Sequence, residues 1–502
     1  MAYEEFSLLD LEPKAGEPGQ FRLFYQDLNL DRAIERLTRD WGKGIRKYYG
    51  YLPVTPKEVA YRQAVYSDVK KPAVQDALKQ YVEDMTGAER MREEKGKVYE
   101  DAQKAVWHLR EIISYCLAYE RLCEGLAKCS LSSDGMQDFW RILKEILEEG
   151  GYRKLREEAQ ALLQRLKELR FIITYEKDRI SVTCGELPGD GAYAEMLRNK
   201  TGGELHRPVN PFRSEPSICE LEKACIEILE KKRPDIFREM KDLAYKWWEY
   251  EVPVLKRFDE EIRFYLSYYD LQQEMQEKGF SFATPELSED RTMEAHDLYD
   301  IALAVASLYS DRKIVCNDLA YQPGEQFFVL TGPNQGGKTT FARSLGQLVY
   351  FTRLGLDVPA ASARLPFFPD IQTHFSVEES VETGKGKLKE ELTRLAPMME
   401  SQKEGTFIII NELFTTAASY DAQIMGRRVM KHFIDLGCMG IYVTHIAELA
   451  AEQDGVVSLR AMLNDQKIQT YKIRRGEPDD TACAENLVSK YALTYEQLKE
   501  RL

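Results

Sequence analysis

The sequence predicts a mixed fold, a mainly helical region over about residues 1–280 followed by an α/β region over about residues 281–502. Two observations predict it. Through the first region apolar residues recur at three- and four-residue steps within charged stretches, the period of helices that bury one face. In the second, short β-branched apolar runs, too short for helices, end in polar residues, as strands of a buried parallel sheet do. A length of 502 residues fits two or three domains, and a hydrophobic content of 44% is that of a folded chain with proper cores.

Within the helical region, Leu155, Ala159, Leu162, Leu163, Leu166 and Leu169 mark one amphipathic helix. Phe171 to Thr174 and Ile180 to Thr183, separated by a charged turn, read as a small hairpin. Pro188, Gly189, Pro208, Pro211 and Pro216 punctuate an irregular connection before helices resume at about Ser217. From Trp247 to Tyr269 the chain is aromatic, at Trp247, Trp248, Tyr250, Phe258, Phe264, Tyr265, Tyr268 and Tyr269. Rings stack on the bases of single strands, but at this spacing on a long helix they more often serve packing, and Pro253 starts or kinks that helix.

In the α/β region, Gln326 to Leu330 reads as a buried strand, and Lys338 onward as a helix with Phe341, Leu345, Leu348 and Val349 on its apolar face. Between them stands Gly332-Pro333-Asn334-Gln335-Gly336-Gly337-Lys338-Thr339, a complete phosphate-binding loop in its strand-to-helix context. The glycines let backbone N–H groups turn inward around a β-phosphate, and the helix N-terminus adds partial positive charge. Lys338 reaches the β/γ oxygens, and Thr339 offers its hydroxyl to Mg²⁺. Thr406 to Ile410 is a second strand that delivers Asn411 and Glu412 to its carboxyl end, where parallel sheets bind ligands. Glu412 is the candidate that orients and deprotonates an attacking water, because phosphoryl transfer depends on a positioned nucleophile and neutralised charge. A third strand, Ile441 to Thr444, ends at His445, placed to reach a γ-phosphate or its water, although a lone histidine is more often structural. Lys467 to Ile473 lies in a strand-rich stretch, and Asp479 to Ala484 leads into a final helical region.

These residues carry a resemblance. Thr331 to Thr340, then Val358-Pro359-Ala360, then Glu412 followed by Ser419-Tyr420-Asp421, then Val443-Thr444-His445, resemble in order and spacing the ATPase domain of the MutS family. Ile314 to Asp318 resembles the segment that precedes the loop in that family, and Phe24 to Asp31 resembles the start of its helical core domain. The resemblance implies a helical core-and-lever domain over residues 1–280, with a reduced clamp on an excursion at about 150–255, and an ABC-type P-loop ATPase domain over residues 281–502. It also implies ATP and Mg²⁺ as cofactors, with Gly332 to Thr340 around the nucleotide. Thr339, Asn411 and Glu412 fall on the metal side, and Lys338, Glu412 and His445 in the reaction. Two ATPase domains would pair as a homodimer, each nucleotide sandwiched between one subunit's loop and a segment of the other. Asp421 would act at that junction.

Three departures modify these expectations. Asn411 stands where the family has an aspartate, so the metal side loses a charge that hard divalent cations favour, and slow turnover is expected. In the trans-acting segment, aligned with Glu378 to Leu392, the family's serine falls at Gly386, within Gly384-Lys385-Gly386-Lys387. Either Lys385 or Lys387 contacts the partner's γ-phosphate in trans, or the loop is only a solvated Gly/Lys turn. Finally, the core-like segment begins within about the first two dozen residues, so the family's amino-terminal mismatch reader is not expected.

Composition narrows the setting. No stretch approaches the roughly twenty apolar residues of a membrane span, and Met1-Ala2-Tyr3-Glu4-Glu5 is unlike a signal peptide, so a cytoplasmic protein without membrane association is expected. Nine cysteines without a Cys-x-x-Cys pair fit reduced thiols rather than disulfides or zinc. A net charge of −14 argues against nucleic-acid binding by bulk electrostatics. Arg153, Lys154, Arg156, Arg165, Lys167, Arg170, Lys177 and Arg179 concentrate basic groups, but acidic residues alternate with them, as on a solvated, ion-paired face. The combined expectation is a dimeric ATP-hydrolysing DNA clamp acting in repair or recombination on DNA structures rather than mispairs. A nucleotide-gated scaffold with little turnover, or an ATPase with a protein or RNA partner, are the alternatives.

Overall fold

The computed structural model describes residues 3, 5–11, 22–98, 101–168, 171–176, 179–184, 220–310, 313–376, 387–400, 403–450, 454–466, 468–478 and 499. Contacts divide the chain into two compact units, Met1–Phe6 with Ser67–Asp259, and Ser7–Tyr66 with Glu260–Leu502. These units are discontinuous in sequence, whereas the division expected near residue 280 follows motif order and is retained as a proposal.

Among the described residues the first unit is helical apart from one hairpin. Helices Pro72–Lys97 and Asp101–Leu126 pack antiparallel, which brings Tyr81 beside Tyr119 with their hydroxyls 2.9 Å apart. Gly125 lets the pair approach closely, since a Cβ there would stand 2.9 Å from that of Ala77. Ser133 caps the helix Asp134–Glu148 by accepting the Met136 N–H. The amphipathic helix spans Gly150–Glu168 with Leu155, Ala159 and Leu162 buried, while Leu163 and Leu166 are half-buried. The hairpin forms from β1 (Phe171–Glu176) and β2 (Arg179–Cys184), antiparallel with Phe171 opposite Cys184. Helices resume at Glu220–Lys232 and Pro234–Lys246. Arg156 pairs with Glu120, and Arg165 with Asp235 and Glu239, as an ion-paired face requires. Arg170, Lys177, the Arg179 side chain and the prolines from 188 to 216 lie outside the described residues.

Pro253 opens the helix Pro253–Glu277 rather than kinking it, its fixed φ suiting a first helical turn. Along the aromatic stretch Tyr250, Phe258, Phe264, Tyr265 and Tyr268 are buried, whereas Trp248 is 64% exposed.

The described residues of the second unit form two mixed sheets. A four-stranded sheet runs in the order β3 (Glu286–Ser288), β7 (Ser362–Pro366), β4 (Met293–Leu298), β5 (Asn317–Tyr321). A six-stranded sheet runs β12 (Gln469–Arg475), β11 (Val456–Leu463), β6 (Phe327–Thr331), β10 (Met439–Val443), β9 (Phe407–Asn411), β8 (Ile371–Phe375). Its pairs are parallel except β11 with β12. Strands β6, β9 and β10 are buried along their whole length, which explains why their sequences are continuously apolar rather than alternating. One face of this sheet packs Phe327, Ile408, Ile410 and Tyr442 against Leu395 and Met398 of helix Lys387–Glu400 and Met430 and Phe433 of helix Ser419–Asp435. The other receives helix Lys338–Leu354, where Gly346 sits so close to β9 that a Cβ would stand 2.6 Å from the Ile409 side chain. Gln347 of that helix is fully buried and ties it to Leu28 O, Asp300 Oδ1 and the Ile301 N–H.

Candidate functional site

Strands β6, β9 and β10 are parallel neighbours, so their carboxyl ends converge on one edge of the sheet. From that edge Thr331 leads into the glycine-rich loop, Asn411 into Glu412, and Val443 into Thr444 and His445. This convergence joins residues more than a hundred positions apart.

The loop is shaped by conformations that most residues avoid. Gly332 has φ 126° and Gly337 φ 87°. A Cβ at Gly332 would meet Ala461 of β11 at 3.0 Å, and one at Gly336 would meet the Pro333 carbonyl at the same distance. Gln335, Glu412, Phe414 and Tyr471 are left-handed at φ 61°, 58°, 63° and 58°. Each such residue costs on the order of 1–3 kcal/mol, and three of them, Gln335, Glu412 and Tyr471, line one cavity, where backbone strain is retained.

Lys338 is 5% exposed at the first position of its helix. Its Nζ donates to Gly332 O at 2.8 Å and Pro333 O at 3.0 Å. Burial lowers its pKa, partly offset by the charge of Glu412. Thr339 donates its hydroxyl to Asn411 Oδ1 at 3.1 Å. Glu412 receives a backbone tie from its own N–H to Val443 O at 2.9 Å, and its Oε1 lies 3.0 Å from His445 Nε2. A carboxylate oxygen accepts only, so His445 Nε2 carries the proton in this contact. Sequence reasoning placed Glu412 and His445 separately against a γ-phosphate and its water; in the structure they are partners.

A cavity of about 670 Å³ lies over these groups, lined by Asn334 to Thr340, Glu412, Tyr299, Ile314, Val315 and Tyr471. Tyr471 escaped the sequence reading, because nothing local distinguishes an aromatic in a strand from one beside a ligand. Asn317 sets it in place, donating to Tyr471 O at 3.1 Å and accepting the Ile473 N–H at 2.8 Å. Asp421 is exposed in the first turn of helix Ser419–Asp435. Gly384, Lys385 and Gly386 lie outside the described residues, as does the side chain of Lys387, whose backbone begins a helix.

The donors near Thr339 are neutral oxygens, a hydroxyl and an amide, with the Glu412 carboxylate beside them. Among the described residues no group of three or more His, Cys, Asp or Glu could hold a metal by itself. That set fits Mg²⁺, which keeps several waters and takes other ligands from a substrate's phosphates. It does not fit a dedicated protein cage.

Fold and site together define a mixed α/β protein with a concave, glycine-rich cavity at the carboxyl ends of a mostly parallel sheet, where open α/β sheets take ligands. Residues 328–481 match the family model described as MutS domain V. Over these residues the chain is similar to proteins of the MutS family. It is similar to the DNA mismatch repair protein MutS of Fervidobacterium nodosum, 24% identical over 191 residues, covering 38% of this chain and 23% of that one. The DNA mismatch repair protein msh-2 of Neurospora crassa is 30% identical over 146 residues, 29% of this chain and 16% of the relative. MutS of Pseudothermotoga lettingae is 28% identical over 165 residues, 32% and 20% respectively. The matches thus span about a fifth of each relative's length. No described helix is long and apolar enough to cross a membrane.

Proposed function

We propose that the chain binds ATP with Mg²⁺ in this cavity and hydrolyses it, as a P-loop ATPase of ABC type. The observation that carries the reading is Lys338, a buried ammonium folded onto two carbonyl oxygens of its own loop, a cation poised for anionic oxygens. The loop from Gly332 to Thr340 would hold the phosphates, with Lys338 moving from the Gly332 and Pro333 carbonyls to the β/γ oxygens. Thr339 and Asn411 would hold Mg²⁺ beside Glu412, and the metal when bound neutralises phosphate charge. Glu412 takes a proton from the water whose oxygen bonds to the γ-phosphorus as the bond to the ADP oxygen breaks. His445 steadies that carboxylate and senses the γ-phosphate.

Two copies would pair through the ATPase domains, residues 384–387 and Asp421 of one facing the nucleotide of the other, and nucleotide state would control grip on DNA structures in repair or recombination. The relatives' names support a DNA substrate, and the net charge of −14 confines any contact to a local basic surface. Asn411 favours a second reading, a nucleotide-gated scaffold with little turnover, since an amide is a weaker metal partner than a carboxylate.

Calorimetry with ATP and Mg²⁺, and steady-state phosphate release by wild type and Glu412→Gln, decide between these. Uptake with release that Glu412→Gln silences supports hydrolysis, and uptake without release supports the scaffold. No uptake removes both. Titration with duplex, branched and single-stranded DNA at several salt concentrations tests the substrate, because genuine phosphate contacts weaken steeply as salt rises.

A further inference from the structure

Glu391 lies one turn into helix Lys387–Glu400 and is 4% exposed, a burial that a carboxylate tolerates only with partners. Its Oε2 accepts the backbone N–H of Phe414 at 3.2 Å. Phe414 follows Glu412 by two residues, and both are left-handed, at φ 63° and 58°. The turn has left the β9 ladder, so the Phe414 N–H has no neighbouring strand to pair with, and the Glu391 carboxylate supplies the acceptor. Leu413 and Phe414 are buried in the same core as Leu388 and Leu395 of the Glu391 helix. That helix is anchored in turn to the end of β8, where Arg394 donates to Phe375 O at 3.0 Å and His374 Nε2 lies 3.4 Å from Glu391 O. Burial, with the Arg394 charge adding to it, brings the His374 pKa down to about 4, so its ring is neutral at ordinary pH.

We propose that Glu391 is a positioning residue for Glu412, holding the 412–414 turn in its left-handed form and thereby aiming the Glu412 carboxylate into the cavity. This rests on the hydrolysis proposed above. Glu391 is not among the residues that line the cavity. It acts on the backbone of its own chain and makes the placement of Glu412 depend on the helix that begins at Lys387.

The test compares the full-length wild type, Glu391→Ala and Glu391→Gln by hydrogen exchange of the Phe414 amide without nucleotide, ADP affinity by calorimetry, and phosphate release. Glu391→Ala should lose protection at Phe414 and about 10²-fold in kcat, the scale of a displaced catalytic group, while ADP affinity stays within about twofold. Glu391→Gln, whose amide oxygen can accept the same N–H, should recover protection and most of the turnover. In a Glu412→Gln background, Glu391→Ala should lower kcat no further, because the two act as one unit. Unchanged protection and turnover in Glu391→Ala overturn the proposal. So does a parallel fall of ADP affinity, melting temperature and kcat in both variants, which marks a general structural role. A wild type that binds ATP but releases no phosphate overturns the hydrolysis itself and this role with it.

Discussion

Glu111 in the helical unit and Glu412 at the strand end are both carboxylates beside a histidine, and their surroundings differ in every other respect. Glu111 is 1% exposed and accepts Arg92 Nε at 2.7 Å, Lys95 Nζ at 2.7 Å and the Tyr250 hydroxyl at 2.8 Å. His108 lies against it, with Nε2 3.0 Å from Trp247 O and Nδ1 2.8 Å from Lys95 Nζ. The carbonyl fixes the proton on Nε2, leaving Nδ1 to accept. Burial would raise the Glu111 pKa, but the hydrogen bonds and charges of Lys95 and Arg92 outweigh it and hold the group at about 2. Glu412 instead sits on a left-handed backbone with its side chain 30% exposed, facing an exposed histidine and a cavity. The closed network ties its unit together through the partners of Glu111. The open one retains strain and solvent access, as a group must if it is to exchange partners during a reaction.

That contrast makes opposite forecasts for substitutions. The largest effect on activity belongs to Glu412→Gln, which should lower ATP turnover by about 10²-fold or more, the usual contribution of a general base. Nucleotide affinity and the melting temperature should barely move; a coupled loss of stability would break the comparison. Glu111→Ala should do the reverse. It removes the buried acceptor of Lys95 and Tyr250, while the half-exposed Arg92 keeps Glu251, and should cost about 3 kcal/mol in denaturant unfolding, with ATP affinity intact. The two units need not unfold together, so the transition should be followed by a probe in the helical unit.

Acid should act through the saturated carboxylates next. Asp68 accepts the N–H groups and hydroxyls of Ser132 and Ser133 and the Lys71 ammonium. Burial opposes ionisation there too, yet these partners hold its pKa at about 2. Both groups are depressed in the folded state, from ordinary values of 3.8 and 4.5. Their stabilisation is therefore present in full above about pH 4.5 and is lost as pH falls toward about 2. A melting temperature that drops through this window in wild type, and less steeply in Asp68→Asn, is the expected result. The smallest effect is Asn411→Asp, which restores a charge beside Thr339 and should reduce the Mg²⁺ needed for half-maximal ATP binding about tenfold, near 1.4 kcal/mol. An unchanged Mg²⁺ requirement would mean that residue 411 does not face the metal.

Much of this site could be read in advance because its signals are local. Gly332 to Thr339 is contiguous, and the strands that carry Asn411 and His445 announce themselves by short, uniformly apolar runs ended by polar residues. Strand ends fell within one or two residues of expectation, β6 beginning at Phe327 rather than Gln326 and β9 reaching Asn411. The helix from Lys338 and the hairpin at β1 and β2 follow the same logic of period and turn.

What stayed hidden depends on contacts distant in sequence. Strand order in the six-stranded sheet places β6 between β10 and β11, a choice made by packing and not by any strand's own residues. Tyr471 at the cavity, Glu391 under the Phe414 amide and His445 against Glu412 each join segments separated by more than twenty residues. The left-handed backbone at Glu412 and Phe414 contradicts their residue types, which prefer other conformations in isolation. The amino-acid order by itself determined the loop, the apolar strands and the identity of the chemical groups, because these follow from neighbours along the chain. Which groups meet, and in which strained conformation, was decided only by the tertiary structure, since burial and hydrogen bonding across the sheet offset a local backbone cost that no short segment can meet alone.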